Sequence, residues 1–200
     1  HEKKYLIDPF CGGFCVCAYA LEHTRLKVLA NDLNKYVITL YREILFNNSR
    51  EIKKVWLNWV SRECFTDVRN HPEKYPEWYV GYVLTIWSFG NNQRSYLFSK
   101  ENELIKRKLH QALVFNEWDK DLFWFKKYIP WNFPIEYGPQ KRIIFMQIYR
   151  KIIKNRYELQ QLEQLERLEQ LQQLESMDWH DFIQSTPKNI LKNAFIFCDP

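Results

Sequence analysis

A glycine pair and two distant carboxylates stand out for the chemistry their spacing allows. Gly12 and Gly13 follow a short apolar segment, Tyr5 to Ile7, that runs into Asp8-Pro9-Phe10-Cys11. Glycines after a strand let backbone amides approach a ligand where a Cβ would collide, and the helix start that follows carries partial positive charge. Asp32 comes 19 positions after Gly13, at the end of a second apolar segment, Arg25 to Ala30. A carboxylate at that strand tip is placed to accept both hydroxyls of a ribose. Its competing use is a plain helix N-cap, which Asn34 could serve instead. Asp199 and Pro200 follow the apolar run Ala194 to Cys198. That run reads as a buried strand delivering a carboxylate to the edge where open α/β sheets bind ligands. An Asp-Pro turn closing a strand is the plain alternative.

These residues need elements to position them. Strand, glycine turn, helix and second strand make residues 1–47 a βαβ unit with an acid at the tip of its second strand. Val37, Ile38, Tyr41, Ile44 and Leu45 then recur at helical spacing, as do Ile52, Val55, Trp56, Trp59 and Val60. Helices alone follow, with a turn at Ser88-Phe89-Gly90-Asn91-Asn92-Gln93 and Ser99 as a cap for a helix carrying Leu104, Ile105, Leu109, Ala112 and Leu113. Residues 48–138 therefore read as a helical insertion. Residues 139–175 read as a long helical segment, opened by a first-turn proline near Pro139. Six basic residues and no acidic one lie between Lys141 and Arg156, and leucine then recurs every third residue from Leu159 to Leu174 among glutamines and glutamates. A helix turns about 100° per residue, so such leucines spiral around it and form no single seam. Residues 176–200 return to the core, loop-like from Trp179 to Lys192 and ending in a strand.

Composition bounds the function. The 200 residues are 46% hydrophobic, 26% charged and 17% aromatic, which excludes a disordered chain and a disulfide mini-protein. No apolar run approaches the roughly 20 residues of a membrane helix. A net charge of +5 permits a phosphate-rich partner without requiring one. Five cysteines, odd in number and without paired C-x-x-C knuckles, predict reduced thiols and no structural metal. The expectation is a soluble, cytoplasmic enzyme core without metal or membrane partner, and a monomer unless the leucine tract self-associates. The chain opens on His1 without a methionine and stops on Asp199-Pro200, as expected of a fragment.

Taken together, these motifs resemble the Dam-like adenine-N6 DNA methyltransferases, in particular their phage-type members, along nearly the whole chain. Asp8-Pro-Phe-Cys-Gly-Gly is similar to the family's F-x-G-x-G cofactor loop, Asn31-Asp32-Leu33-Asn34 to its N-D-x-N ribose motif, and Cys198-Asp199-Pro200 to the opening of its D-P-P-[YF] catalytic motif. Phe14 stands where many relatives have another glycine. The resemblance implies an α/β, Rossmann-like S-adenosylmethionine-dependent core with a mostly helical target-recognition insertion. It implies that Asp8, Phe10, Cys11, Gly12, Gly13 and Asp32 hold S-adenosylmethionine, with Asp178 and Trp179 at a D-[FY] step against its adenine. Asp199 and Pro200 would accept hydrogen bonds from the amino group of an adenine flipped out of double-stranded DNA. Ser88, Asn91, Arg94, Lys141 and Arg142 would meet the DNA. The fragment itself is expected to be inactive, since the motif's last two positions lie beyond Pro200.

Three rivals compete with this expectation. A catalytically dead nucleic-acid-binding module could retain the fold. A dinucleotide-dependent oxidoreductase expects G-x-G-x-x-G, which the loop at Gly12 does not supply. A helical scaffold would rest on the leucine tract alone. Whether such an enzyme would protect phage DNA, belong to a restriction pair or mark host DNA does not follow from the residues.

Overall fold

Four strands form a parallel sheet in the order β3-β2-β1-β4 in a computed structural model, which describes residues 3–47, 55, 58–115, 117, 120 and 168–199. β1 (Tyr5–Asp8) leads through the glycine turn into α1 (Cys15–His23), which returns to β2 (Lys27–Asn31) beside β1. α2 (Lys35–Arg42) follows and runs into one π-type turn, Glu43–Asn47. β3 (Leu171–Glu175) pairs with the far side of β2, and β4 (Ala194–Ile196) pairs with the other side of β1.

Period-two alternation along the strands sorts the core into two layers. Leu6, Val28, Ala30 and Leu174 face one cluster with α1 and α2, while Ile7, Leu29 and Ala194 face a second. That second cluster is completed by Phe182 of α6 (Trp179–Ser185) and by Ile190 and Leu191 of α7 (Lys188–Lys192). Helices on both faces are what a parallel sheet requires, because neither face can be left to water. The sequence expectation of an α/β core holds. β4 is not the buried strand expected of Ala194 to Cys198: among the described residues it pairs on one side only, it ends at Ile196, and Phe195 and Ile196 are exposed.

Among the described residues, the helical region holds α3 (Arg62–Asn70), α4 (Glu77–Ile86) and α5 (Lys100–Phe115). α4 buries Val80, Tyr82, Val83 and Leu84 and lies across α2, which buries Val37, Ile38, Leu40 and Tyr41. Each such aliphatic side chain contributes about 2 kcal/mol on leaving water. The two helices approach so closely at Gly81 that a Cβ there would stand 2.2 Å from the Tyr36 carbonyl oxygen. Trp59 and Trp87 pack edge to face with ring centroids 5.2 Å apart, and Trp59 stacks on Phe98 at 5.2 Å.

Three local expectations need correction. The end of the leucine tract is not helical: Leu168–Gln170 form one 3-10 turn and Leu171–Glu175 are a sheet strand. Period three fits neither a straight helix nor a regular strand, and a bulge resolves the conflict. The pairing runs Val28 with Leu171, then skips Gln172 to set Leu29 beside Gln173 and Ala30 beside Leu174. Leu171 and Leu174 thereby share the face of Val28 and Ala30 and join their cluster. Leu168 and Leu171 already pack on the core, inside the segment expected to be a long helix. Trp179 to Lys192 is not loop-like but forms α6 and α7, started by the Asp178 cap and by Pro187. Trp59 and Val60, expected in a helix with Ile52, lie outside helix yet pack in the core. Most of that expected helix, the basic run from Lys141 to Arg156 and the leucines before Leu168 lie outside the described residues.

Candidate active site

All four strands are parallel, so every residue just beyond a strand's carboxyl end arrives at one edge. Asp8 ends β1, Asp32 follows β2, Asp178 follows β3, and Cys198-Asp199 follow β4. β4 lies on the opposite side of β1 from β2 and β3, so the crevice between β1 and β4 is where the strand order reverses and open α/β sheets bind ligands. Beyond the sheet, the Phe197 amide still donates to the Ile7 carbonyl at 2.9 Å, which carries Asp199 alongside the start of the glycine turn.

The glycine turn and the acid after β2 meet directly. The Gly12 amide donates to Asp32 Oδ2 at 2.9 Å, and the Asn34 amide donates to Asp32 Oδ1 at 2.8 Å. Asn34 is the true N-cap of α2, accepting from the Tyr36 and Val37 amides. Asp32 is thereby released from capping and held with each oxygen fixed by one backbone donor and a lone pair left on each. Gly12 sits at φ +40°, a left-handed conformation that suits glycine. Phe14, at φ +62°, holds the same region without being glycine. Its ring is fully buried and stacks on Tyr41 with centroids 5.1 Å apart, which offsets the backbone strain.

Asp8 is buried, its carboxylate accepting from the Phe10 amide and the Cys17 thiol. Burial pushes its carboxyl above the usual range, those two bonds pull it back, and the nearby Asp32 and Asp199 charges push it up again. Asp8 thereby ties the turn to α1. Cys11 joins the turn through its backbone: its amide donates to the Asn31 carbonyl at 2.8 Å while its side chain lies in the core. Burial, reinforced by Asp32 and Asp8, pushes that thiol far up.

Asn31 is the residue that sequence reasoning passed over as a site member. Fully buried, its Nδ2 donates to the Pro9 and Met177 carbonyls at 3.1 and 3.0 Å, and its Oδ1 accepts from the Met177 amide at 3.1 Å. One side chain thus bolts the glycine turn to the loop before α6. A polar residue closing an otherwise apolar strand was the available signal. That loop presents Asp178, which caps α6 through the His180 amide at 2.8 Å, and half-exposed Trp179, whose ring lies 6.2 Å from that of Phe10. Phe10 lies in the turn after β1 and Trp179 opens α6, so the two rings approach from separate elements. Asp178, His180 and Asp181 bring ligand atoms within 4.8 Å of one another, all exposed.

The sequence matches the family of D12 class N6 adenine-specific DNA methyltransferases over residues 1–200. The chain belongs to that family. As a member it is a DNA adenine methyltransferase, and the parallel sheet flanked by helices is the fold expected of such an enzyme. Comparison with curated proteins finds none that matches. No helix among the described residues is long and apolar enough to cross a membrane.

Of the residues expected to meet DNA, Ser88 is misplaced. It is fully buried, and its hydroxyl accepts from the Gln93 amide at 3.1 Å, so it organises the turn from within. Asn91 lies on a 3-10 turn, Phe89–Asn91, with Gly90 at φ +58°. Arg94 is exposed on the same turn. Lys141, Arg142 and Pro200 lie outside the described residues.

Proposed function

We propose that this chain binds S-adenosylmethionine at the carboxyl edge of the sheet and methylates the N6 amine of an adenine flipped out of double-stranded DNA. The supporting observation is the Asp32 carboxylate, anchored by Gly12 at 2.9 Å across 20 residues of sequence with lone pairs free for a ribose diol. The cofactor supplies an electrophilic methyl group on a sulfonium. Asp32 would accept the two ribose hydroxyls, while Gly12 and Gly13 keep the backbone low beside the ligand. Phe10 and Trp179 offer flanking apolar surface for the nucleobase, with Asp178 as an acceptor beside them.

The exocyclic amine of adenine is a weak nucleophile because its lone pair is delocalised into the ring. The Asp199 carboxylate and the Pro200 carbonyl would accept its two N–H bonds and localise the pair on nitrogen, supplying orientation and charge stabilisation. Asp199 and Pro200 would thereby orient the amine toward the methyl group that the cofactor supplies, and Asp199 would hold the N–H proton that the amine must shed as the new bond forms. Arg94 and Asn91, with Lys141 and Arg142, would hold the duplex, and the enzyme acts as a monomer without metal.

Radiolabelled methyl transfer to plasmid DNA tests this reading. The protein is expected to label adenine N6. Calorimetry is expected to show binding of S-adenosylmethionine and none of NAD. Binding of NAD alone, or unlabelled DNA with the complete protein, would overturn the reading.

A further inference from the structure

The turn expected to meet DNA is wired to the loop expected to hold the cofactor. Asn34 Oδ1 accepts from the Tyr36 and Val37 amides as the cap of α2, and this fixes which way its amide points. Nδ2 is left facing outward, and it donates to Gln93 Oε1 at 2.7 Å, across 59 residues of sequence. The backbone amide of the same Asn34 is the donor that holds Asp32 Oδ1 at 2.8 Å. A hydrogen-bonded path therefore runs from Gly12 through Asp32 and Asn34 to Gln93.

Gln93 sits at φ +59°, a left-handed conformation that a long side chain seldom takes, and its contacts hold it there. Its amide donates to Ser88 Oγ at 3.1 Å, and its Nε2 donates to Thr85 Oγ1 at 3.3 Å. Beyond it, Asn92 Oδ1 accepts from the Arg94 and Ser95 amides at 2.9 Å each. The Arg94 carbonyl accepts from Arg69 Nη1 at 2.7 Å, and Phe89 on the same turn is 66% exposed. The turn is tied within itself by these bonds, and Gln93 joins it to the loop after β2.

We propose that Gln93 is a positioning residue that couples the two ligands: holding the ribose loop in place seats the Ser88 to Arg94 turn for DNA, and DNA on the turn firms the ribose loop. This rests on the reading of Asp32 as the ribose acceptor and of the turn as a DNA contact. Coupling is reciprocal by thermodynamic necessity, so one box of four affinities measures it.

The test titrates S-adenosylhomocysteine, which cannot turn over, by calorimetry into the complete protein with and without plasmid-derived duplex DNA. In the natural protein DNA is expected to tighten it about 5-fold or more. Gln93→Asn keeps a residue at ease in the left-handed region but shortens the side chain, so the tie to Asn34 is lost and the coupling factor falls to about one. Gln93→Glu keeps an oxygen for Asn34 Nδ2 and retains the coupling, even though its charge weakens DNA binding with and without S-adenosylhomocysteine alike. A protein that binds neither ligand overturns the functional reading and this proposal together. One that binds both ligands without coupling, or whose coupling survives in Gln93→Asn, overturns the proposal alone.

Discussion

At the carboxyl edge of the sheet, Asp32 and Asp199 are delivered by strand pairing, whereas in the helical region Trp59, Trp87 and Phe98 hold one another by ring contact. The first mode fixes backbone, and each Asp32 carboxylate oxygen, held by one backbone amide, keeps a lone pair. In the second, the side chains are themselves the fixture, and little is left over for chemistry. The exception in the helical region is the turn from Ser88 to Arg94, which is held by hydrogen bonds and leaves Phe89 and Arg94 outside. Function would accordingly sit where polar bonds, and not packing, set the geometry.

The largest effect expected at the edge is on chemistry alone. Asp199→Ala should lower single-turnover methyl transfer about 1,000-fold, the scale of a lost oriented partner for the reacting group, with the melting temperature unchanged. A loss of less than about tenfold would deny Asp199 its role. In the packed region the corresponding blow falls on stability. Gly81→Ala should cost about 3 kcal/mol in urea melts, because its Cβ would strike the Tyr36 backbone at 2.2 Å. A near-neutral result would mean that α2 and α4 can slide apart.

Asp32→Ala sharpens the contrast from the ligand side. It removes charge-assisted bonds worth about 1.5–3 kcal/mol, so S-adenosylhomocysteine affinity in calorimetry should fall between about 10-fold and 100-fold. Helix α2 keeps its Asn34 cap, and circular dichroism should not change. Arg94→Ala should weaken duplex binding only a few-fold, with the slope of log affinity against log salt shallower by about 1 in fluorescence anisotropy.

The smallest change concerns Asp8. Its proton is held to higher pH in the folded chain than in the unfolded chain, where the value is near 3.8. Stability from this group is thus fully present below that pH and declines as pH rises through the folded-state value. Asp8→Asn should flatten the decline in thermal melts taken across acid pH. An unaltered slope would place the titration elsewhere.

The edge was far more legible than the packed region, and particular residues show why. Gly12 and Asp32 announce themselves because chain connectivity within one βαβ unit leaves them few places to go. Asn34 could be weighed against Asp32 as the cap, yet only the folded chain shows that it takes that role and frees the acid. Ser88 looked like a surface hydroxyl and is buried, because the turn folds back to pair Ser88 with Tyr96. Asn31 was in view within its motif, but its partners at Met177 lie 146 residues away.

Sequence alone determined the local grammar: strand, glycine turn, helix, acid, and a late apolar run ending in Asp199, all written in residue types that act over a few positions. Tertiary structure alone decided that the last leucines become a strand, since β2 has an open edge whose backbone must be paired and a bulge at Gln172 can reconcile period three with period two. It also decided that Gln93 meets Asn34, a contact between side chains 59 residues apart whose formation depends on how α4 packs on α2. Periodicity reports which face of an element is apolar. Which partner that face finds is settled by packing the whole chain at once.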